Sequence, residues 1–138
     1  MEPAGASETV PLLGSEDVVR ARHLVRDLAT DLGFDLVAQT RIVTATSELA
    51  RNTHLHGGGG LLTITPVADG RRRGLRLEFT DDGPGIPDLA AALTDGWSSA
   101  GGLGLGLSGT RRLVDEFTVE SSAGQGTRVE VVQWLKRR

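Results

Sequence analysis

The chain has 138 residues, a net charge of −3, 38% hydrophobic residues and 24% charged residues, which fits one folded domain rather than a disordered or membrane-spanning chain. It has no cysteine, which excludes disulfides, a cysteine nucleophile and thiolate metal sites and suits a cytoplasmic protein. The acidic balance lends no support to a nucleic-acid partner, and no stretch approaches transmembrane length, so no membrane role is expected.

Residues 1–8 are small and polar and are expected to form a disordered tail, with the folded domain over 9–138. Thr9–Leu13 reads as a short strand. Ser15, followed by Glu16 and Asp17, reads as a helix N-cap. Val18, Ala21, Val25, Leu28 and Leu32 then recur at helical spacing until Gly33 stops them. A second helix is predicted from near Asp35 to the glycine block Gly57–Gly60, burying Ala38, Ile42, Ala45, Leu49 and Thr53. Two alternating strands follow, around Leu62–Pro66 and Leu75–Thr80, joined by the turn Asp69–Arg73. An irregular, glycine-rich stretch from Asp81 to Gly102 holds one short helix, Asp88–Leu93. A helix from about Leu105 to Glu116 and two closing strands, Phe117–Ser121 and Thr127–Trp134, complete the chain. This order predicts an α/β two-layer sandwich: a mixed, mostly antiparallel sheet with helices on one face.

Three clusters carry chemistry. Glu48 and Asn52 stand one helical turn apart and share a face at the rim of the apolar stripe. A carboxylate there can polarise a hydroxyl, and an amide oxygen can ligate Mg²⁺; an exposed helix face is the plainer alternative. Asp81-Asp82-Gly83-Pro84-Gly85-Ile86 comes directly off a strand end. Its carboxylate can accept from an exocyclic amine while Gly83 and Gly85 let the backbone approach a flat base; a tight turn explains the same composition. Gly101-Gly102-Leu103-Gly104-Leu105-Gly106 opens a helix whose free amides favour anions. A P-loop needs a lysine at this point, and the only lysine is Lys136. A dinucleotide fingerprint must follow a strand, and Thr94–Ala100 is not strand-like.

Glu48-x3-Asn52 on a helix, Asp81-x-Gly83-x-Gly85 after a strand, and Gly102-Leu103-Gly104-Leu105-Gly106 into a helix together resemble the GHKL (Bergerat) ATPase superfamily. Its members include histidine kinases, gyrase-type topoisomerases, Hsp90-type chaperones and small bacterial serine kinases. The resemblance covers about residues 40–130. A chain of this length is expected to lack the added domains of a topoisomerase, a chaperone or a complete sensor kinase. The stretches Ser47–Asn52, Asp95–Ser98, Gly102–Phe117 and Gln133–Leu135 are most similar to the RsbT-type switch kinases of bacterial partner-switching (stressosome) pathways.

The resemblance implies a serine/threonine-protein kinase with ATP and Mg²⁺ as cofactors. Its partners would be STAS-domain substrates and a PP2C-type phosphatase regulator. The alternative is a nucleotide-gated binding module that captures a sigma factor. By the same resemblance, Asn52 holds Mg²⁺ and Glu48 orients or deprotonates the incoming hydroxyl. Asp81 meets the adenine amine, supported by Thr127, while Gly83, Gly85 and Ile86 shape the base pocket. Gly102, Leu103, Gly104, Leu105 and Gly106 line the phosphate region, and Trp97–Ala100 belongs to a lid. His54 and His56 diverge by roughly 200° on a helix, cannot chelate one metal and read as helix-end residues. Arg51 reads as an exposed arginine, with phosphate or partner contact as its alternative, and Trp134 reads as packing.

Overall fold

A computed structural model of the chain describes residues 1–94 and 106–136. The elements run β1 (Glu2–Pro3), β2 (Glu8–Leu12), α1 (Ser15–Leu32), α2 (Leu36–Leu55), β3 (Gly60–Asp69), β4 (Arg72–Asp81), α3 (Leu89–Ala92), α4 (Leu107–Arg111), β5 (Glu116–Ser121) and β6 (Thr127–Trp134). Among the described residues the sheet has six strands in the order β1-β3-β4-β6-β5, with β2 beside β1 along the same edge of β3. Every described ladder is antiparallel. The fold is the expected α/β sandwich.

The core lies between one sheet face and the helix pair. Alternate strand residues Leu62, Ile64, Leu75, Leu77, Phe79 and Val131 are buried against Ala21 and Val25 of α1 and Ile42 and Leu49 of α2. Ala38, expected in the α2 stripe, is only half-buried, whereas Val43, Thr46 and Ala50 join the buried set. The opposite sheet face carries an ion-pair ladder built on Arg128, whose Nη2 lies 2.7 Å from Glu78 Oε2. It also carries a small apolar cluster of Val67, Val132 and Trp134, so Trp134 packs as predicted. Leu77 sits on central strand β4 with no exposure. Leu77→Ala is expected to lower unfolding stability by about 2–5 kcal/mol, read from the urea midpoint at unchanged slope. No described helix is long and apolar enough to cross a membrane.

Three local expectations are corrected. Residues 1–8 do not form a disordered tail. Glu2 and Pro3 pair with Ala68 and Val67, the Ala4 amide donates to the Pro66 carbonyl at 2.7 Å, and the Ser7 and Thr65 hydroxyls meet at 2.8 Å. The unpaired edge of β3 captures the segment through its backbone, which composition does not report. Secondly, the N-cap of α1 is Gly14 rather than Ser15. The Asp17 carboxylate reaches back to accept from the amides of Leu13 and Gly14 at 2.9 and 3.2 Å. Thirdly, α4 ends at Arg111 instead of continuing to Glu116. The Asp115 amide donates to Gln133 Oε1 at 3.1 Å, its carboxylate accepts from the Trp134 amide at 2.8 Å, and Glu116 already pairs with Val132. Strand β6 therefore takes the residues that would have extended the helix.

Candidate functional site

Helix α2 starts at an Asp35 cap, whose carboxylate accepts from the Ala38 amide at 2.8 Å, and fixes the phase of everything that follows. Leu49 and Thr53 turn into the core, and Asn52 and His56 come to the edge of a cleft. Strand β4 delivers Asp81 to the same cleft, and Thr127 stands opposite Asp81 at the start of β6. The walls are apolar: Leu49, Phe79, Ile86, Leu107 and Val129. Against them stand few polar groups, chiefly Asn52, His56, Asp81 and Thr127. An apolar slot with a small number of convergent polar groups suits a flat heteroaromatic ligand.

The glycines shape the slot by close backbone packing. A side chain at Gly57 would collide with the Asp81 carboxylate, and a Cβ at Gly83 would lie 2.6 Å from the Gly57 carbonyl oxygen. Gly85 has φ +74°, and any Cβ there would overlap the Ser122 carbonyl. The loop after β4 is thus wedged between the end of α2 and the β5–β6 turn.

Asp81 accepts from the Gly83 amide at 2.9 Å. Burial pushes its carboxyl pKa above the ordinary value; the Gly83 and Thr127 amides oppose that shift, and the neighbouring Asp82 charge adds to it. Ser121 ties the loop to the hairpin. Its hydroxyl accepts from the Ile86 amide at 2.8 Å, donates to the Gly126 carbonyl at 3.0 Å and meets Thr127 Oγ1 at 2.8 Å. The Gly124 amide adds a bond to the Pro84 carbonyl at 2.7 Å.

Of the residues singled out by sequence, the cleft brings together Asn52, Asp81, Gly85, Ile86 and Thr127. Gly83 lies behind it against Gly57. Glu48 does not line the cleft. It stands one turn before Asn52, 38% exposed, with Oε1 3.6 Å from the Arg51 guanidinium. A Cβ on Gly106 would sit 3.4 Å from Glu48 Oε2, so this carboxylate faces the start of α4. Gly106 caps that helix with φ +66°. Gly102, Leu103, Gly104 and Leu105 lie outside the described residues, as does Trp97–Ala100.

Two residues of the site are not assigned to it by sequence. His56 is the helix end that its position suggests, the C-cap of α2, but it also lines the cleft one turn beyond Asn52. Ser121 carries no motif, and only its register opposite Thr127 draws attention to it.

Among the described residues, no three His, Cys, Asp or Glu side chains converge to hold a metal. The donor set fits Mg²⁺ in one way. The ion keeps waters and phosphate ligands and needs few protein donors, and the Asn52 amide at the cleft edge can be one.

Residues 37–137 match the family of histidine kinase-, DNA gyrase B- and HSP90-like ATPases. The chain is 48% identical to the serine/threonine-protein kinase RsbT of Bacillus subtilis (strain 168), over 92% of this chain and 96% of the relative. It is 32% identical to the anti-sigma F factor of Clostridium acetobutylicum, over 86% of this chain and 85% of that one. The crystal structure of the RsbU and RsbW domains of a Mycobacterium tuberculosis protein superposes with a TM-score of 0.63 at 19% identity, covering 97% of this chain. The present chain spans about a third (34%) of that protein's chain, and the likeness is one of fold.

Proposed function

The chain belongs to the histidine kinase-, DNA gyrase B- and HSP90-like ATPase family, and from that premise we propose that it phosphorylates STAS-domain proteins with Mg²⁺–ATP. It is an ATP-dependent serine/threonine-protein kinase of the RsbT type. The substrates are STAS-domain antagonist or scaffold proteins of a sigma-factor partner switch in the cytoplasm, after which the kinase activates a PP2C-type phosphatase. The observation that carries the reading is that the Asp81 carboxylate and the Asn52 amide line the same apolar cleft.

Each residue has a physical task. Phe79, Ile86 and Val129 bury the faces of the base, and Asp81 accepts from its exocyclic amine. Asn52 gives its amide oxygen to the metal. When bound, Mg²⁺ neutralises charge on the phosphoryl oxygens. Gly102, Leu103, Gly104, Leu105 and Gly106 bind the phosphates, the role their resemblance implies. Glu48, outside the base pocket and partly exposed, stands where a protein substrate can bring its hydroxyl, and takes the proton of that hydroxyl as the phosphoryl group moves. Phosphoryl transfer is mainly positioning and charge neutralisation, so this sparse set is sufficient.

The similarity to anti-sigma F factors favours a second reading, in which the chain also captures a sigma factor stoichiometrically. The two are separated by mixing the chain with γ-labelled ATP, Mg²⁺ and its STAS partner. Label on a serine or threonine of the partner is the expected result. A chain that binds ATP, transfers nothing, and still switches its pathway in cells as Glu48→Ala would be a binding module instead.

A further inference from the structure

Ser121 Oγ has one proton and, among the described residues, three close neighbours. The Ile86 amide can only donate to it, at 2.8 Å. The Gly126 carbonyl can only accept from it, at 3.0 Å, so the serine proton is committed there. The remaining bond, 2.8 Å to Thr127 Oγ1, must then run from the threonine hydroxyl to the serine oxygen. Thr127 has spent its only proton, so toward the cleft it offers lone pairs alone. Across the ladder stands Asp81, paired with Thr127 in register and itself an acceptor.

From this hydrogen-bond direction we propose that Ser121 is a positioning residue for base selectivity: it turns Thr127 into an acceptor, so that the cleft reads a 6-amino purine and rejects a 6-oxo purine. The inference rests on the adenine reading of the cleft and extends it from affinity to discrimination. An exocyclic amine offers two N–H groups, which Asp81 and Thr127 can share. At Asp81 and Thr127 a 6-oxo group meets two acceptors in place of a donor, and a buried mismatch of that kind is costly. Removing the serine hydroxyl releases the threonine proton, and Thr127 can then donate to an oxo group.

The test measures equilibrium binding of Mg²⁺–ATP and Mg²⁺–ITP to the whole chain, by competition against a fluorescent ATP analogue. Wild type, Ser121→Ala, Thr127→Val and the double variant are compared. The wild type should prefer ATP, and Ser121→Ala should lose about three- to tenfold of that preference, the worth of one neutral hydrogen bond. Thr127→Val keeps the Ser121 bonds to Ile86 and Gly126, guarding against a variant that does not fold. It should lose preference by a similar factor, and adding Ser121→Ala to it should change the ratio no further.

Equal weakening of ATP and ITP by Ser121→Ala would overturn the proposal and leave Ser121 a loop anchor only. So would a Ser121→Ala effect on the ratio that persists in the Thr127→Val background, or a wild type that binds both nucleotides equally. A wild type that binds neither nucleotide would remove the adenine reading itself, an outcome distinct from these.

Discussion

Replacing Glu48 by glutamine is expected to slow phosphoryl transfer by about 10²- to 10⁴-fold while leaving ATP affinity within about threefold. The two halves of this expectation have separate origins. Glutamine preserves the size of the side chain and removes its basicity, so a proton that must leave the attacking hydroxyl has nowhere to go. The affinity is spared because Glu48 does not line the cleft that holds Asn52 and Asp81; it is 38% exposed, beside Arg51. The 3.6 Å contact with Arg51 is an exposed i,i+3 pair, and such pairs contribute little to stability, so the variant should fold normally. Single-turnover transfer to the partner, paired with a nucleotide titration, checks both halves. A Glu48→Gln protein that transfers at the wild-type rate would show that the substrate or solvent takes the proton. One that also fails to bind ATP would show that Glu48 supports the nucleotide instead.

Asp81→Asn should weaken ATP binding by about 100-fold, the scale of losing a charged acceptor inside a cleft. The same change should make the nucleotide-free protein more resistant to heat. Burial raises the Asp81 carboxyl pKa above its unfolded value. The folded chain therefore holds the proton more tightly than the unfolded chain, and at neutral pH the ionised carboxylate subtracts from stability. As pH falls through the raised pKa and then the ordinary carboxylate range, that subtraction disappears. Asparagine lacks it at every pH, so the melting temperature of the variant should exceed that of wild type at neutral pH, and the gap should close on acidification. Wild-type ATP affinity should fall over the same acid range, since the protonated carboxyl no longer accepts well from an amine. A destabilised Asp81→Asn protein at neutral pH would show that the Gly83 and Thr127 amides outweigh desolvation.

How much of this is legible in the sequence depends on where each constraint resides. The β5–β6 hairpin is readable because alternating residues on both sides of Ser122–Gly126 leave one register; the structure pairs Ser121 with Thr127 as that spacing requires. The glycines Gly83 and Gly85 are readable as places of close approach, although what they approach is Gly57 and Ser122, residues distant in sequence. The edge position of Glu2–Pro3 is not readable, because backbone pairing to β3 leaves no trace in side-chain pattern. The early end of α4 is hidden for a similar reason: Leu113 and Val114 continue a helical periodicity, and the competing ties come from Gln133 and Trp134 on β6. Asn52 and Asp81 emerge through spacing on their own elements. His56 and Ser121 take their importance from neighbours across the cleft and across the hairpin. The order of the clusters along the chain identifies the family, and tertiary packing decides which side chains share the pocket.

Amide chemical-shift mapping during a nucleotide titration reports binding of Mg²⁺–ATP in the cleft that holds Asn52 and Asp81. Saturable shifts should concentrate at Asn52, His56, Asp81, Gly85, Ile86 and Thr127, with the open sheet face around Val67 and Trp134 unmoved, and Asn52→Ala should weaken the response in Mg²⁺. Shifts centred on the open face, or none at all at saturating nucleotide, would contradict it.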